Sequence, residues 1–488
     1  VSKALPVAKH SASRKPGGAH SDRAHSGSDH PAAAAAFLRD ADRAAWHDDA
    51  LWFVRQRRDR ATDLPEWETL RDAGAALKAH AMGRLAELLE EFERRATAAG
   101  ITVHWARDAA EHNTVVRGIL RDAGARRVAK SKSMLTEECG LNPFLEADGI
   151  EVVDTDLGER IVQLAHEPPS HIVLPAIHWK KEEIGALFHR TMGTPVGESS
   201  PDALAAAARI HLRDALLNAD AAITGANALV AETGGVVVCT NEGNADLGMH
   251  SAPVHIVCVG IEKIIATLDD LGVLLRVLAR SATGQPITAY TTHVTAPRPG
   301  AAMHVVLVDN GRTTRLADRE MRSALHCIRC GACLNTCPIY RRSGGYSYGH
   351  VIPGPIGAIL APAVDLRAHR SLPFASTLCG SCGDVCPVRI DIPGQLLAWR
   401  ERSAAVGALP AGYAGMFRRL GRVLANRHRF VRAGRWARTA LRVLRALRFM
   451  PGAPFARRWN PWTRAGRDLP TPPRESFHEW ARRTRRIP

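Results

Sequence analysis

Apolar residues recur at helical spacing through residues 32–99, as in Leu77, Met82, Leu85, Leu88, Leu89 and Phe92, the period of a one-sided amphipathic helix. Past residue 100 the pattern changes. Short β-branched runs, ITVHWA (101–106), RVAKS (127–131), IEVVDTD (150–156) and HIVLPA (171–176), alternate with helix-length amphipathic stretches. That alternation predicts a largely parallel sheet with helices on its faces. Near 201–218 a helix start is marked by Ser200, a capping residue, and by Pro201, whose missing N–H would be unpaired there anyway. The later runs AAITGA (221–226), GGVVVCT (234–240), HIVCVGIEK (255–263), AYTTHVTA (289–296) and AMHVVLVDNG (302–311) have fewer helices between them. One α/β domain over 32–311, helical in its N-terminal part, accounts for both regimes.

The flanks differ. Residues 1–31 are rich in Ser, Gly, His and Pro, the composition of a disordered tail, and they lack the apolar run of a signal peptide. From about Leu316 a mainly helical module over 316–400 carries cysteine motifs around a Gly/Pro/Tyr-rich loop (343–357). Residues 401–488 form an Arg-rich, helical C-terminal region broken at PGAP, NPW and LPTPP. The chain's 488 residues carry a net charge of +16, but residues 401–488 hold 21 Arg against four acidic residues. The remainder is nearly neutral, so the basic character belongs to one segment. No apolar stretch reaches the ~18 residues of a spanning helix, and the expectation is a soluble, cytoplasmic, metal-binding protein. In RWARTALRVLRALRF (435–449), Trp436, Ala440, Val443, Leu444 and Leu447 share one helical face, while Arg438, Arg442, Arg445 and Arg448 lie opposite. Such a helix packs on its own module, docks on a partner, or lies peripherally on an anionic membrane. Nucleic acid is disfavoured, because no reader motif accompanies the arginines.

Seven of the ten cysteines fall between Cys327 and Cys386. Cys327, Cys330, Cys333 and Cys337, followed by Pro338, spell C-x2-C-x2-C-x3-C-P, the bacterial ferredoxin run, whose fourth Cys ligates the other cluster. Soft thiolates suit iron–sulfur chemistry, and zinc ribbons use pairs rather than four cysteines in eleven residues. The second motif, Cys379, Cys382, Cys386 and Pro387, has Ser376 where a first Cys would stand. By the exchange rule Cys327, Cys330, Cys333 and Cys386 hold the first cluster, and Cys337, Cys379 and Cys382 the second. Two [4Fe–4S] clusters are the leading expectation. Three thiolates also accommodate a [3Fe–4S] cluster, a non-Cys fourth ligand such as Ser376, or an iron open to substrate.

The segments VAKSKSMLTEECGLN (128–142), GIEVVDTDLGERIVQL (149–164), EPPSHIVLPAIH (167–178), ITGANALVAETGGVVVCTNEGN (223–244), HIVCVGIEKI (255–264) and CGSCGDVCPVRIDIPG (379–394) together resemble the lactate-utilisation protein B family, from about residue 37 to the end. The resemblance implies a LUD domain, similar in fold to sugar-phosphate isomerases and CoA transferases, joined to a two-cluster ferredoxin-type module. It also implies an iron–sulfur electron-transfer subunit in a complex oxidising L-lactate to pyruvate. Its companions would be a Cys/Gly-rich, heterodisulfide-reductase-like protein and a second LUD protein, with electrons passing to a membrane acceptor such as a quinone.

Within the α/β domain, Lys130, Ser131, Lys132 and Ser133 follow a strand and precede a helix, a setting that favours a small anion or equally a plain helix cap. Asp154 and Asp156 suit a ligand or a turn, and Asn241, Glu242 and Asn244 close the strand run GGVVVCT. CoA transferases use a Glu nucleophile, which by analogy singles out Glu232. The rival expectation is therefore a small-molecule-binding or acyl-transfer enzyme with structural or regulatory clusters. HEPPSH (166–171) spaces its histidines wrongly for a helical zinc motif, and neither a dinucleotide nor a P-loop glycine pattern occurs.

Overall fold

The computed structural model describes residues 29–409, 412–447 and 470–484. Ten strands are present among them: β1 (Thr102–Ala106), β2 (Arg127–Lys130), β3 (Glu151–Asp154), β4 (Ala221–Thr224), β5 (Ala228–Val230), β6 (Gly235–Thr240), β7 (Val254–Gly260), β8 (Ile264–Ile265), β9 (Tyr290–Val294) and β10 (Ala302–Val308). Six pair entirely in parallel in the order β1-β10-β7-β4-β2-β3. β7 is buried along its whole length, as a parallel strand covered on both faces must be. The other four make a smaller mixed sheet, β8-β5-β6-β9. The parallel α/β core is thus as the alternation predicts.

One expected strand is absent. HIVLPA (171–176) is a loop, because its polar groups close locally: Nδ1 of His171 accepts from the N–H groups of Val173 and Leu174, each at 3.0 Å, and Ser170 N–H donates to Pro175 O at 3.0 Å. At the helix start expected near residue 201, Pro201 is the first helical residue, but the Ser200 side chain makes no capping bond.

The described residues fall into two compact units divided after Ala408. In the first, the N-terminal helices, the α/β domain and the cysteine segment share one apolar core. Leu51, Trp67, Leu77, Ile172 and Val277 cluster with Leu334, Tyr340, Ile356 and Ile392. The second unit contains the helices Tyr413–Leu424, Arg427–Leu447 and Phe477–Thr484. The expected tail over 1–31 lies outside the described residues except for its last three, and the first helix begins at His30. Arg448 and the PGAP and NPW breaks also lie outside them. Among the described residues no helix is long and apolar enough to cross a membrane.

Candidate metal centres

The first cysteine loop is shaped by its backbone. A 3-10 turn, Arg322–His326, leads into Cys327. Arg329 (φ 60°) and Gly331 (φ 75°) then take left-handed conformations that curl the chain before the short helix Ala332–Thr336. Cys337 stands at the N-terminus of the next helix, Pro338–Ser343, and its Sγ accepts from Tyr340 N–H at 3.5 Å. The second loop turns through Leu378 (φ 56°) and Gly380 (φ 85°) into the helix Ser381–Asp384. Cys386 Sγ accepts from Ile390 N–H at 3.3 Å.

These loops bring the expected residues together. Cys327, Cys330 and Cys333 of the first motif and Cys386 of the second line one cavity, with Ile172, Ile356 and Val388 among its apolar walls. Cys337, Cys379 and Cys382 lie near enough to one another to interact electrostatically. Of the seven, only Cys379 is exposed. None of the ten cysteines is joined in a disulfide. Burial first, then neighbouring sulfur, pushes Cys330 and Cys382 up to about 12. Thiols so packed become thiolates only beside compensating cationic charge, which iron provides. Among the described residues no three His, Cys, Asp or Glu converge as they would on a single bound ion. Sulfur donors ringing an apolar cavity, with backbone N–H groups aimed at them, fit a multi-iron cluster.

Residues outside the cysteine motifs complete the surroundings. On the helix Trp67–Gly83, Arg71, Gly74 and Lys78 lie on the buried face. Arg71 Nε donates to Cys386 O at 3.0 Å. A Cβ on Gly74 would lie 3.1 Å from Pro387 O. Lys78 Nζ donates to Glu262 O at 2.5 Å, and its pKa is lowered to about 8 by burial and by Lys263. Arg58 donates to Val385 O at 3.2 Å. Glu262 pairs with Arg312, and Arg312 reaches Glu138 at 3.0 Å. Arg329 lies 3.4 Å from Glu138 and 3.9 Å from Glu262. The arginines opposing its burial hold the Glu262 carboxyl down at about 2. Sequence reading passed over this set. Its one signal was Arg71 and Lys78 standing in phase with Leu70, Leu77 and Ala81 on an otherwise apolar helix face.

The expected anion site is occupied from within. Lys130 is fully buried and its ammonium lies 2.7 Å from Asp154, 3.3 Å from Glu137 and 3.7 Å from Glu159. It is a structural charge at the end of β2, which corrects its reading as an anion donor. Ser131 N–H continues the sheet ladder to Ile223 O at 2.9 Å. Lys132 donates to Val173 O at 2.8 Å and stands 3.6 Å from Asp156. Ser133 caps the one-turn helix Met134–Glu138. Asp156 caps the helix Leu157–Leu164, and Asn244, the first residue of the helix Asn244–Ser251 that follows β6, reaches Thr155 at 3.1 Å. Glu232 is exposed at the β5–β6 turn, where its carboxylate accepts from Leu268 N–H at 2.9 Å at the start of the helix Leu268–Ala282. Its described partners belong to that helix cap and to the neighbouring strand connection. Ser376 Oγ accepts from Leu378 N–H at 3.1 Å.

Comparison with known proteins agrees with this two-part arrangement. Residues 89–314 match the LUD domain family model, and residues 323–390 match the 4Fe-4S dicluster domain. Lactate utilization protein B of Oceanobacillus iheyensis is 38% identical over 436 residues, covering 88% of this chain and 90% of that protein. Its counterpart in Macrococcus caseolyticus is 44% identical over 70% of this chain and 72% of that one. An Escherichia coli protein described as the uncharacterized electron transport protein YkgF is 41% identical, over 72% and 75% of the respective chains.

Proposed function

Because the chain belongs to the lactate utilization protein B family, we propose that it is the electron-transfer subunit of a complex that oxidises L-lactate to pyruvate. Cys327, Cys330, Cys333 and Cys386 hold one cluster, and Cys337, Cys379 and Cys382 hold the other. Iron–sulfur clusters, when bound, supply one-electron transfer. The protein's own residues set the conditions. Ile172, Ile356 and Val388 keep water from the first centre, backbone N–H groups from Arg329 and Ile390 steady its sulfurs, and Cys379 brings the second centre to the surface. The observation that carries this reading is the single cavity lined by three cysteines of one motif and the last cysteine of the other. Partners are the two companions named above, and the lactate site is formed with them.

The test uses the assembled complex. Cys327→Ser and Cys386→Ser are each expected to abolish lactate-dependent reduction of a dye. Full activity in either variant overturns the assignment. Appearance of the reduced clusters' EPR signals on adding lactate only when the companions are present makes it the relay; their appearance without the companions places the lactate site within this chain.

The basic C-terminal unit supports a peripheral membrane contact on the acceptor side. Residues 413–447 contain ten Arg and no acidic residue, while Phe417, Leu424 and Trp436 are exposed. An apolar stripe flanked by cations suits an anionic bilayer surface. Cosedimentation with phosphatidylglycerol vesicles, lost for phosphatidylcholine vesicles and for a Phe417→Ser/Trp436→Ser variant, is the expected result. Equal behaviour with both lipids removes the membrane from this reading.

A further inference from the structure

The second cysteine loop repeats the spacing of the first, 49 positions on. Cys379 answers to Cys330, Cys382 to Cys333, Cys386 to Cys337 and Pro387 to Pro338. The agreement extends to backbone features that no motif spells out. A 3-10 turn, Leu372–Phe374, precedes the second loop as Arg322–His326 precedes the first. Leu378 (φ 56°) stands where Arg329 (φ 60°) does, and Gly380 (φ 85°) where Gly331 (φ 75°) does. The helices starting at Ala332 and Ser381 begin at equivalent positions. Left-handed backbone is uncommon for a residue other than Gly, so Arg329 and Leu378 mark one and the same turn made twice.

In the first loop this turn directs Arg329 N–H onto Cys327 Sγ at 3.4 Å. In the second, the equivalent N–H of Leu378 meets Ser376 Oγ at 3.1 Å. The hydroxyl therefore occupies the place in its turn that the first thiol occupies in the other. The loop is also tied down from outside: Arg400 donates to Pro373 O at 2.8 Å and to Ser376 O at 3.2 Å. A position serving merely as a polar connector would not need to copy a ligand turn, N–H bond included.

We propose that Ser376 supplies the fourth ligand of the second cluster through Oγ, beside Cys337, Cys379 and Cys382. The proposal rests on the reading of the seven cysteines as cluster ligands. Ligation requires the alkoxide, so the hydroxyl proton is given up to solvent. Oxygen is a harder donor than sulfur and suits iron–sulfur chemistry less well, so the iron at Ser376 is held least firmly of the eight and is the first to leave on oxidation.

The experiment compares the full-length wild type with Ser376→Ala and Ser376→Cys, all isolated anaerobically, by iron and sulfide content and by EPR before and after mild oxidation. The wild type is expected to hold about eight irons, and Ser376→Ala about seven, with a [3Fe–4S] signal already present before oxidation. Ser376→Cys is expected to keep about eight and to resist the oxidative loss seen in the wild type. The first cluster's EPR signal, recorded after reduction with dithionite and unchanged in all three, reports that the fold is intact. Wild-type iron content, spectra and oxidation sensitivity in Ser376→Ala would overturn the proposal while leaving the seven cysteines as ligands. A wild-type chain that binds no iron would overturn the cysteine reading itself, and this proposal with it.

Discussion

His171 Nε2 donates to Asn335 Oδ1 at 3.0 Å, joining a loop of the α/β domain to the stretch between Cys333 and Cys337. Its other nitrogen accepts two backbone N–H groups, so the ring is fixed as the neutral tautomer with its proton on Nε2. The ring also abuts Gly331, where a Cβ would lie 3.1 Å from Cε1. Burial, as the main cause, lowers the His171 pKa to about 3. A folded pKa below the unfolded one means stability that is complete above the ordinary histidine value of 6.5 and lost as pH falls toward the folded value. His30, His255 and His326, lowered to about 4 by burial, act in the same direction. Thermal unfolding of the wild type is therefore expected to shift to lower temperature as pH drops below 6.5. His171→Asn should be less stable by about 2 kcal/mol at pH 8 through its unpaired partners, with a shallower dependence on pH. Parallel curves for the two proteins would refute the locked tautomer.

Lys130 pairs with Asp154, Glu137 and Glu159, and burial drives the Glu159 carboxyl well above its ordinary range. Replacing the ammonium with a methyl thioether removes the counter-charge that all three carboxyl groups share. Lys130→Met is expected to cost roughly 3–5 kcal/mol, read from urea unfolding at neutral pH. A loss below about 1 kcal/mol would show that the carboxyl groups are already protonated and do not need Lys130.

The cations gathered near the first cavity favour whichever cluster state carries more negative charge, which is the reduced one. Lys78→Met is therefore expected to lower the midpoint potential of the first cluster and leave the second unmoved in an EPR-monitored redox titration. Glu262→Gln, which removes an anion from the same network, should raise it. Opposite signs separate an electrostatic role from simple loosening of the fold, which would move both variants the same way.

Gly345 and Gly272 make a contrasting pair. A Cβ at Gly345 would fall 1.8 Å from the carbonyl oxygen of Ser170, whereas nothing lies within 4 Å of one at Gly272, inside the helix Leu268–Ala282. Gly345→Ala is expected to destabilise by ~1–3 kcal/mol or more, since backbone must yield. Gly272→Ala should stabilise by up to about 1 kcal/mol. Thermal unfolding of the two variants checks both signs.

What could be read from sequence was whatever is encoded at short range. The spacing of Cys327, Cys330, Cys333 and Cys337 names its chemistry within eleven residues, and the alternation of β-branched runs with amphipathic stretches gives the parallel sheet. HIVLPA misled because a hydrophobic run reads as a strand until the imidazole of His171 is seen to claim the N–H groups a sheet would need. Lys130 misled for a similar reason: a lysine after a strand looks available until the carboxylates that surround it, brought from Asp154, Glu137 and Glu159, are in place. Arg71 and Cys386 are 315 positions apart, and no periodicity records such a pairing. The likeness of Ser376 to Cys327 lay between the two cases: the one-residue substitution is visible in the aligned motifs, but its meaning depends on the φ angles of Arg329 and Leu378.

The cavity that joins Cys386 to Cys327, Cys330 and Cys333 also dictates timing during synthesis. A nascent chain that has just exposed its ferredoxin run has three of the cysteines that line that cavity and not the fourth, and Arg71 still lacks the Cys386 carbonyl to which it donates. Only when the ribosome has delivered the chain past Ile392 can the pieces meet. Contacts spanning so much sequence form slowly, so the thiols of the first run remain open to oxidation at least until Cys386 has been made. Metal loading is thereby deferred until Cys386 has been made, and a ribosome stalled before Cys386 releases a product unable to close its first centre.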